Sequence, residues 1–158
     1  MLSSPEEDII LNGCESGIGF ELAKHFHYTT NFKIICGFVS TNNSESYKYL
    51  SMLRAKFNND YRFVLRKLDI TQEKDISYLV ESLAKVKLYA SINNAGVMAY
   101  REFDWLSCEQ IQSQLKVNLV GTLRLTRAII SHTIQSRGRI IKASSVNDAT
   151  VFPGLLFY

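Results

Sequence analysis

The residues Gly13-Cys14-Glu15-Ser16-Gly17-Ile18-Gly19 hold the densest chemistry in this sequence. They follow a short apolar run, Asp8-Ile9-Ile10-Leu11-Asn12, and lead into Ile18, Leu22 and Phe26, spaced i, i+4, i+8 as on one helix face. Glycines at a strand-to-helix junction let the chain turn tightly and let a pyrophosphate approach bare backbone. The helix N-terminus adds free N–H groups and a partial positive charge. The spacing is G-x-x-x-G-x-G rather than G-x-G-x-x-G, and no Gly-Lys-Ser/Thr ending follows, which excludes a nucleoside-triphosphatase loop. A glycine-rich turn can also be purely structural; its place at the first strand of an alternating pattern points to a dinucleotide. The acid expected about 20 residues further on, where it would bind the ribose hydroxyls of NAD, is missing. Phe38-Val39-Ser40-Thr41-Asn42-Asn43 stands there instead, with no Arg or Lys for the 2′-phosphate of NADP, and Glu15 would repel such a phosphate. NAD is therefore expected over NADP, with Ser40 or Thr41 as neutral ribose partners.

Other polar groups fall at the ends of apolar runs. Asp69 follows the third run, in Leu68-Asp69-Ile70-Thr71, and Asn93-Asn94-Ala95-Gly96 closes the fourth. Asn118 interrupts a helical pattern, Ser144-Ser145 ends the fifth run, and Tyr158 stands 158 − 145 = 13 residues beyond Ser145. Each has a plainer reading. Asp69 could cap the next helix, the Asn-Asn-Ala-Gly segment could be only a turn, and Asn118, a poor helix former, could serve packing alone. Ser145 and Tyr158 taken singly would be a loop serine and an apolar tail residue. His25, His27 and His132 form no metal-like cluster, and Cys14, Cys36 and Cys108 contain no C-x-x-C pair, so reduced thiols and no metal are expected.

The elements that must position these groups alternate. Strands are expected at Asp8–Asn12, at Lys33–Val39, through Phe63-Val64-Leu65 to an end near Asp69, at Leu88–Ile92 and at Gly138–Ala143. Between them lie helical stripes: Tyr47, Leu50, Leu53 and Phe57; then Ile76, Leu79, Val80, Leu83 and Val86, entered through Thr71. A long helix over 107–136 carries Ile111, Leu115, Leu119, Leu123, Ile130 and Ile134. Near-continuously apolar strands, each followed by a helix, imply a parallel sheet covered on both faces, a doubly wound α/β fold of Rossmann type. The chain of 158 residues has 18 basic and 15 acidic side chains, a net charge of +3. That excess, without a basic run, argues against a nucleic-acid partner. A hydrophobic share of 46% excludes disorder, and no apolar stretch approaches the roughly 18 residues of a membrane span. The acidic N-terminus shows no signal peptide, so a cytoplasmic protein is expected.

Taken together and in order, the glycine loop, Asp69, Asn93-Asn94-Ala95-Gly96, Asn118, and Ser145 with Tyr158 make the sequence resemble the short-chain dehydrogenase/reductase family over nearly its whole length. Gly13-Cys14-Glu15-Ser16-Gly17 and Leu115–Thr122 resemble its retinol, 17β-hydroxysteroid and 3-hydroxybutyrate dehydrogenase branch. The resemblance implies an NAD(P)-dependent oxidoreductase interconverting an alcohol and a ketone or aldehyde, with a lipophilic substrate such as a steroid or retinoid. It implies that Gly13, Gly17, Ile18 and Gly19 hold the pyrophosphate, that Asp69 and the Ile70 N–H meet the adenine, and that Asn93 and Gly96 lie beside the cofactor. Ser145 would hydrogen-bond the substrate oxygen, Tyr158 would exchange the proton, and Asn118 would belong to a proton relay. Asn12 stands where the family usually has Thr.

A free phenol titrates near pH 10, so Tyr158 needs roughly 3 units, about 4 kcal/mol, of selective phenolate stabilisation to act near neutrality. In the family a lysine four residues further on supplies much of it, and the sequence stops at Tyr158. The expectation is an incomplete Rossmann domain spanning 1–158, inactive as it stands, whose fifth strand forms an open edge. Its longer form would be a homo-oligomer acting on a small-molecule alcohol or carbonyl compound, with membrane association undetermined. The competing expectation is a non-catalytic nucleotide-binding short isoform.

Overall fold

The strands alternate their side chains between two separate cores, and this period of two organises the molecule. A computed structural model describes residues 7–41, 44–56, 61–84, 86–148 and 150. Its elements are β1 (Glu7–Leu11), α1 (Gly17–Thr29), β2 (Lys33–Phe38), α2 (Glu45–Lys56), β3 (Phe63–Lys67) and α3 (Glu73–Ser82). There follow β4 (Lys87–Asn93), α4 (Cys108–Leu115), a π-helical turn (Lys116–Gly121), α5 (Thr122–Gln135) and β5 (Arg139–Lys142). The five strands form one sheet in the order β3-β2-β1-β4-β5. Every pairing is parallel, with Ile9 beside Ile34 and Ala90, Ile34 beside Phe63, and Ala90 beside Arg139. From β1, Ile9 and Leu11 face one core with Ile34, Cys36, Ala90 and Ile92, closed by Ala23, Leu50 and Leu53 of α1 and α2. Ile10 faces the other with Ile35 and Leu88, closed by Ile76 and Leu79 of α3 and Leu125 and Ile129 of α5. The expected doubly wound sheet is thus present, with β5 at its edge and all four β5 residues exposed.

Three expectations need correction. The long helix is one rod in three parts, because the π-helical turn interrupts α4 and α5 at Asn118. An extra residue per turn accommodates the poor helix former and shifts the register of α5. Its apolar stripe does not face the core: Leu115, Leu119, Leu123, Ile130 and Ile134 are exposed. The buried residues are instead Gln114, Gly121, Thr122, Leu125, Ile129 and Thr133. The rod has two apolar faces, and periodicity cannot say which one meets the sheet. Ile18, read as the first member of the α1 stripe, is 69% exposed, whereas Leu22 and Phe26 pack against the core. The third helix does begin just after Thr71, with Glu73 and Lys74 in its first turn, and its N-cap Gln72 makes no side-chain cap bond. No described helix is long and apolar enough to cross a membrane.

Candidate functional site

The chain order places a switch point between β1 and β4. The chain leaves β1 toward β2 on one side and reaches β4, on its other side, only after β3, so the loops beyond their carboxyl ends diverge and leave a crevice. Two cavities line it. One, of about 710 Å³, is walled by Gly13, Glu15, Ser16, Gly17, Val39 and Asp69, among others. The second, of about 210 Å³, is walled by Asn93, Asn118, Thr122, Lys142, Ser144 and Ser145. Ile18, Asn94, Ala95 and Gly96 line both, so the two are one continuous groove. Exposure of Ile18 now has its reason: it stands at the junction of the cavities rather than in the core.

Asn12 and Asn94 hold the floor of the groove. Asn12 Nδ2 donates to Asn93 Oδ1 at 3.1 Å, and Asn12 Oδ1 accepts from the backbone N–H groups of Asn94 at 2.9 Å and Ala95 at 2.6 Å. Asn94 Nδ2 returns bonds to the carbonyls of Asn12 and Gly13, at 3.3 and 3.1 Å. This network ties the exit of β1 to the exit of β4, and its members are buried or half-buried. The glycines fit around it closely. Gly13 has φ +71, and a Cβ there would lie 2.8 Å from Ala95 Cα. A Cβ on Gly19 would lie 2.1 Å from the Gly13 carbonyl oxygen. Gly13 therefore shapes the backbone exposed to the groove, whereas buried Gly19 lets α1 pack against the loop and does not itself line the groove.

The loop reaches β2 through Glu15. Its Oε1 accepts from the backbone N–H of Val39, and its carbonyl accepts from Ser46 Oγ. Ser40 lies just beyond Val39, exposed and outside the groove lining. Opposite, Asp69 Oδ1 accepts from the Thr71 backbone at 2.9 Å and from Thr71 Oγ1 at 2.7 Å, while Asp75 Oδ2 accepts from the Asp69 N–H at 3.0 Å. Asp69 is thus fixed by a local turn and still lines the groove beside buried Ile70. Asn93 bonds Asn12 and, through Nδ2, Thr126 Oγ1 at 3.0 Å, so its amide joins β4 to α5. Asn118 bonds Val97 in both directions, accepting from its N–H at 2.8 Å and donating to its carbonyl at 2.9 Å. Ser145 is half-buried, and its Oγ accepts from the Asn147 N–H at 3.2 Å.

The fold therefore gathers Gly13, Gly17, Ile18, Asp69, Ile70, Asn93, Gly96, Asn118 and Ser145 along one groove. Tyr158 lies outside the described residues. Sequence reasoning did not single out Asn94, Lys116 or Val117, which also line the groove. Asn94 was legible as part of a turn, but its partners lie more than 80 residues away in sequence, which no local pattern reveals. Among the described residues no group of His, Cys, Asp and Glu could hold a metal ion.

The short chain dehydrogenase family model matches residues 7–158. The chain belongs to that family. The chain is 27% identical to mitochondrial D-beta-hydroxybutyrate dehydrogenase of Mus musculus over 145 residues, 87% of this chain and 40% of that protein. It is 24% identical to 17-beta-hydroxysteroid dehydrogenase type 6 of Bos taurus over 154 residues, 94% of this chain and 46% of that protein. The chain thus spans less than half the length of these curated relatives. Among solved structures, a gluconate 5-dehydrogenase from Burkholderia cenocepacia in complex with NADP and tartrate aligns with a TM-score of 0.81 at 18% identity, covering 99% of this chain and 60% of that one. At that identity the likeness concerns the fold. The branch expected from the sequence matches the curated relatives.

Proposed function

We propose that this short-chain dehydrogenase chain binds a nicotinamide dinucleotide, NAD in preference to NADP, along the groove at the carboxyl ends of β1 and β4, as the cofactor half of an alcohol–carbonyl oxidoreductase. One observation carries the reading: the glycine loop and Ser145, 132 residues apart by 145 − 13, open onto a single groove through Ile18, Asn94, Ala95 and Gly96. The fit to a pyrophosphate rests on Gly13. Its positive φ and the lack of room for a side chain leave backbone as the surface the groove presents there.

Gly13, Gly17 and Ile18 are proposed to cradle the phosphates, and Asp69 with the Ile70 N–H to meet the adenine. Among the described residues no donor reaches Asp69 Oδ2, which is left to accept from an exocyclic amine. Gly96 and Asn93 would flank the nicotinamide end, which supplies hydride exchange when the cofactor is bound. Ser145 Oγ would donate to the substrate oxygen, holding it beside the groove. Asn118, its side-chain amide committed to Val97, orients the loop after β4, so a proton relay through it would run over its main chain. Gly19 and Asn12 support these groups from beneath. Tyr158 would carry the proton, a role that requires selective stabilisation of its phenolate. By this reading the substrate is a lipophilic alcohol or ketone.

Titrating NADH into the purified chain, with energy transfer from Trp105 and the tyrosines as the signal, tests the reading. Saturable binding is expected. Its absence in a folded sample would overturn the cofactor assignment. A lysine four positions after Tyr158 in a longer coding sequence would support the enzyme, and a stop codon the non-catalytic isoform.

A further inference from the structure

The end of β2 lacks the carboxylate that a bound ribose would normally meet, yet the folded chain has one there. Glu15 belongs to the glycine loop, 24 residues earlier, and its Oε1 accepts from the Val39 N–H at the exit of β2. Its carbonyl oxygen is held by Ser46 at the start of α2, so both the main chain and the side chain of Glu15 are pinned to the β2–α2 junction. Glu15 and Val39 line the larger cavity together with Gly13, Ser16 and Asp69, and Ser40 does not. Among the described residues no donor reaches Glu15 Oε2. The basic residue in this lining, Lys116, comes from the π-helical turn rather than from the loop–β2 junction.

We propose that Glu15 selects the dinucleotide: its carboxylate accepts the adenosine ribose hydroxyls and excludes a 2′-phosphate. The proposal rests on the nucleotide reading of the groove and replaces Ser40 and Thr41 as the ribose partners. The physical basis is directional. A carboxylate is acceptor-only, so one oxygen on a backbone N–H leaves the other to accept from a vicinal diol. A phosphate monoester in the same place brings like charge against it, and among the described residues lining the cavity no cation comes from the junction to offset the repulsion. The origin of the acid, in the loop rather than after β2, does not matter to the ligand. What matters is where the oxygen stands.

The test uses the 158-residue chain with NADH and NADPH as separate probes, each titrated by fluorescence, and circular dichroism to confirm folding. Wild type should bind NADH more tightly. Glu15→Gln keeps an acceptor for Val39 and removes the charge, so the ratio of the NADPH to the NADH dissociation constant should fall by about tenfold. Glu15→Lys should reverse the preference, and serves if the glutamine variant loses its native spectrum. Ser40→Ala should leave the ratio unchanged. An unchanged ratio in folded Glu15→Gln and Glu15→Lys, or a change confined to Ser40→Ala, overturns the role of Glu15 while nucleotide binding stands. Tighter NADPH binding by wild type overturns it as well. Binding of neither probe by folded wild type overturns both this role and the reading beneath it.

Discussion

The two ends of the same parallel strands are built on opposite plans. At the amino ends, charged and aromatic side chains answer one another. Lys33 Nζ lies 3.1 Å from Asp8 Oδ2, Lys87 Nζ lies 3.8 Å from Glu7 Oε1, and Phe32 stacks on Tyr89 with ring centroids 4.5 Å apart. At the carboxyl ends, neutral amides bind backbone: Asn12, Asn94 and Asn118 together hold the loops after β1 and β4. The carboxylates there, Glu15 and Asp69, line the groove, and among the described residues no donor reaches the second oxygen of either. The amino end is closed by ion pairs and a stacked ring pair. The carboxyl end has rigid, neutral supports under groups left incomplete, which is the arrangement a ligand requires.

The largest effect that would break this contrast is expected at Gly13. Gly13→Ala puts a Cβ 2.8 Å from Ala95 Cα on a backbone of φ +71. It should cost about 2–3 kcal/mol of stability and abolish NADH binding, as read by urea melts and fluorescence titration. Asn12→Ala comes next. It leaves the Asn94 and Ala95 N–H groups and Asn93 Oδ1 without their partner, for a loss of about 2 kcal/mol, and loosens nucleotide binding through the loop it no longer holds. Retention of full NADH affinity by a folded Asn12→Ala would show that the amide clamp does not organise the site.

The amino end should respond weakly and without effect on binding. Burial pushes the Asp8 carboxyl above its ordinary value of 3.8, against the opposing influence of Lys33. A raised carboxyl pKa means that the folded state holds the proton longer than the unfolded state, so this group's contribution falls as pH rises from about 4 through the raised value. Asp8→Asn should remove that slope. At pH 7 it should change stability by less than about 1 kcal/mol, in either direction, since a buried ion pair nearly balances its own desolvation. Thermal melts from pH 3 to 7 measure the slope. A change in NADH affinity with this variant would mean that the two ends are coupled.

How far the sequence could be read depends on the range of each interaction. The strands, the glycine loop and the alternation were legible because apolar period and glycine spacing are local. The π-helical turn was not legible: in a continuous helical pattern Asn118 reads only as a poor helix former. The face of the α4–α5 rod was misassigned because Leu115, Leu119 and Leu123 are as apolar as Leu125 and Ile129, and only the docked sheet distinguishes them. Ser40 follows β2 directly in the chain, and proximity in sequence alone points to it for the ribose. Glu15 crosses 24 residues to reach the same place.

The linear order of residues was enough to specify a doubly wound parallel sheet with a phosphate-type loop after its first strand, because backbone preference and side-chain periodicity act over a few residues. Folding alone set which carboxylate stands at the end of β2, which face of the long rod is covered, and which amides join Asn12 to Asn94. Those outcomes depend on contacts between segments tens of residues apart, whose geometry exists only once the strands have paired.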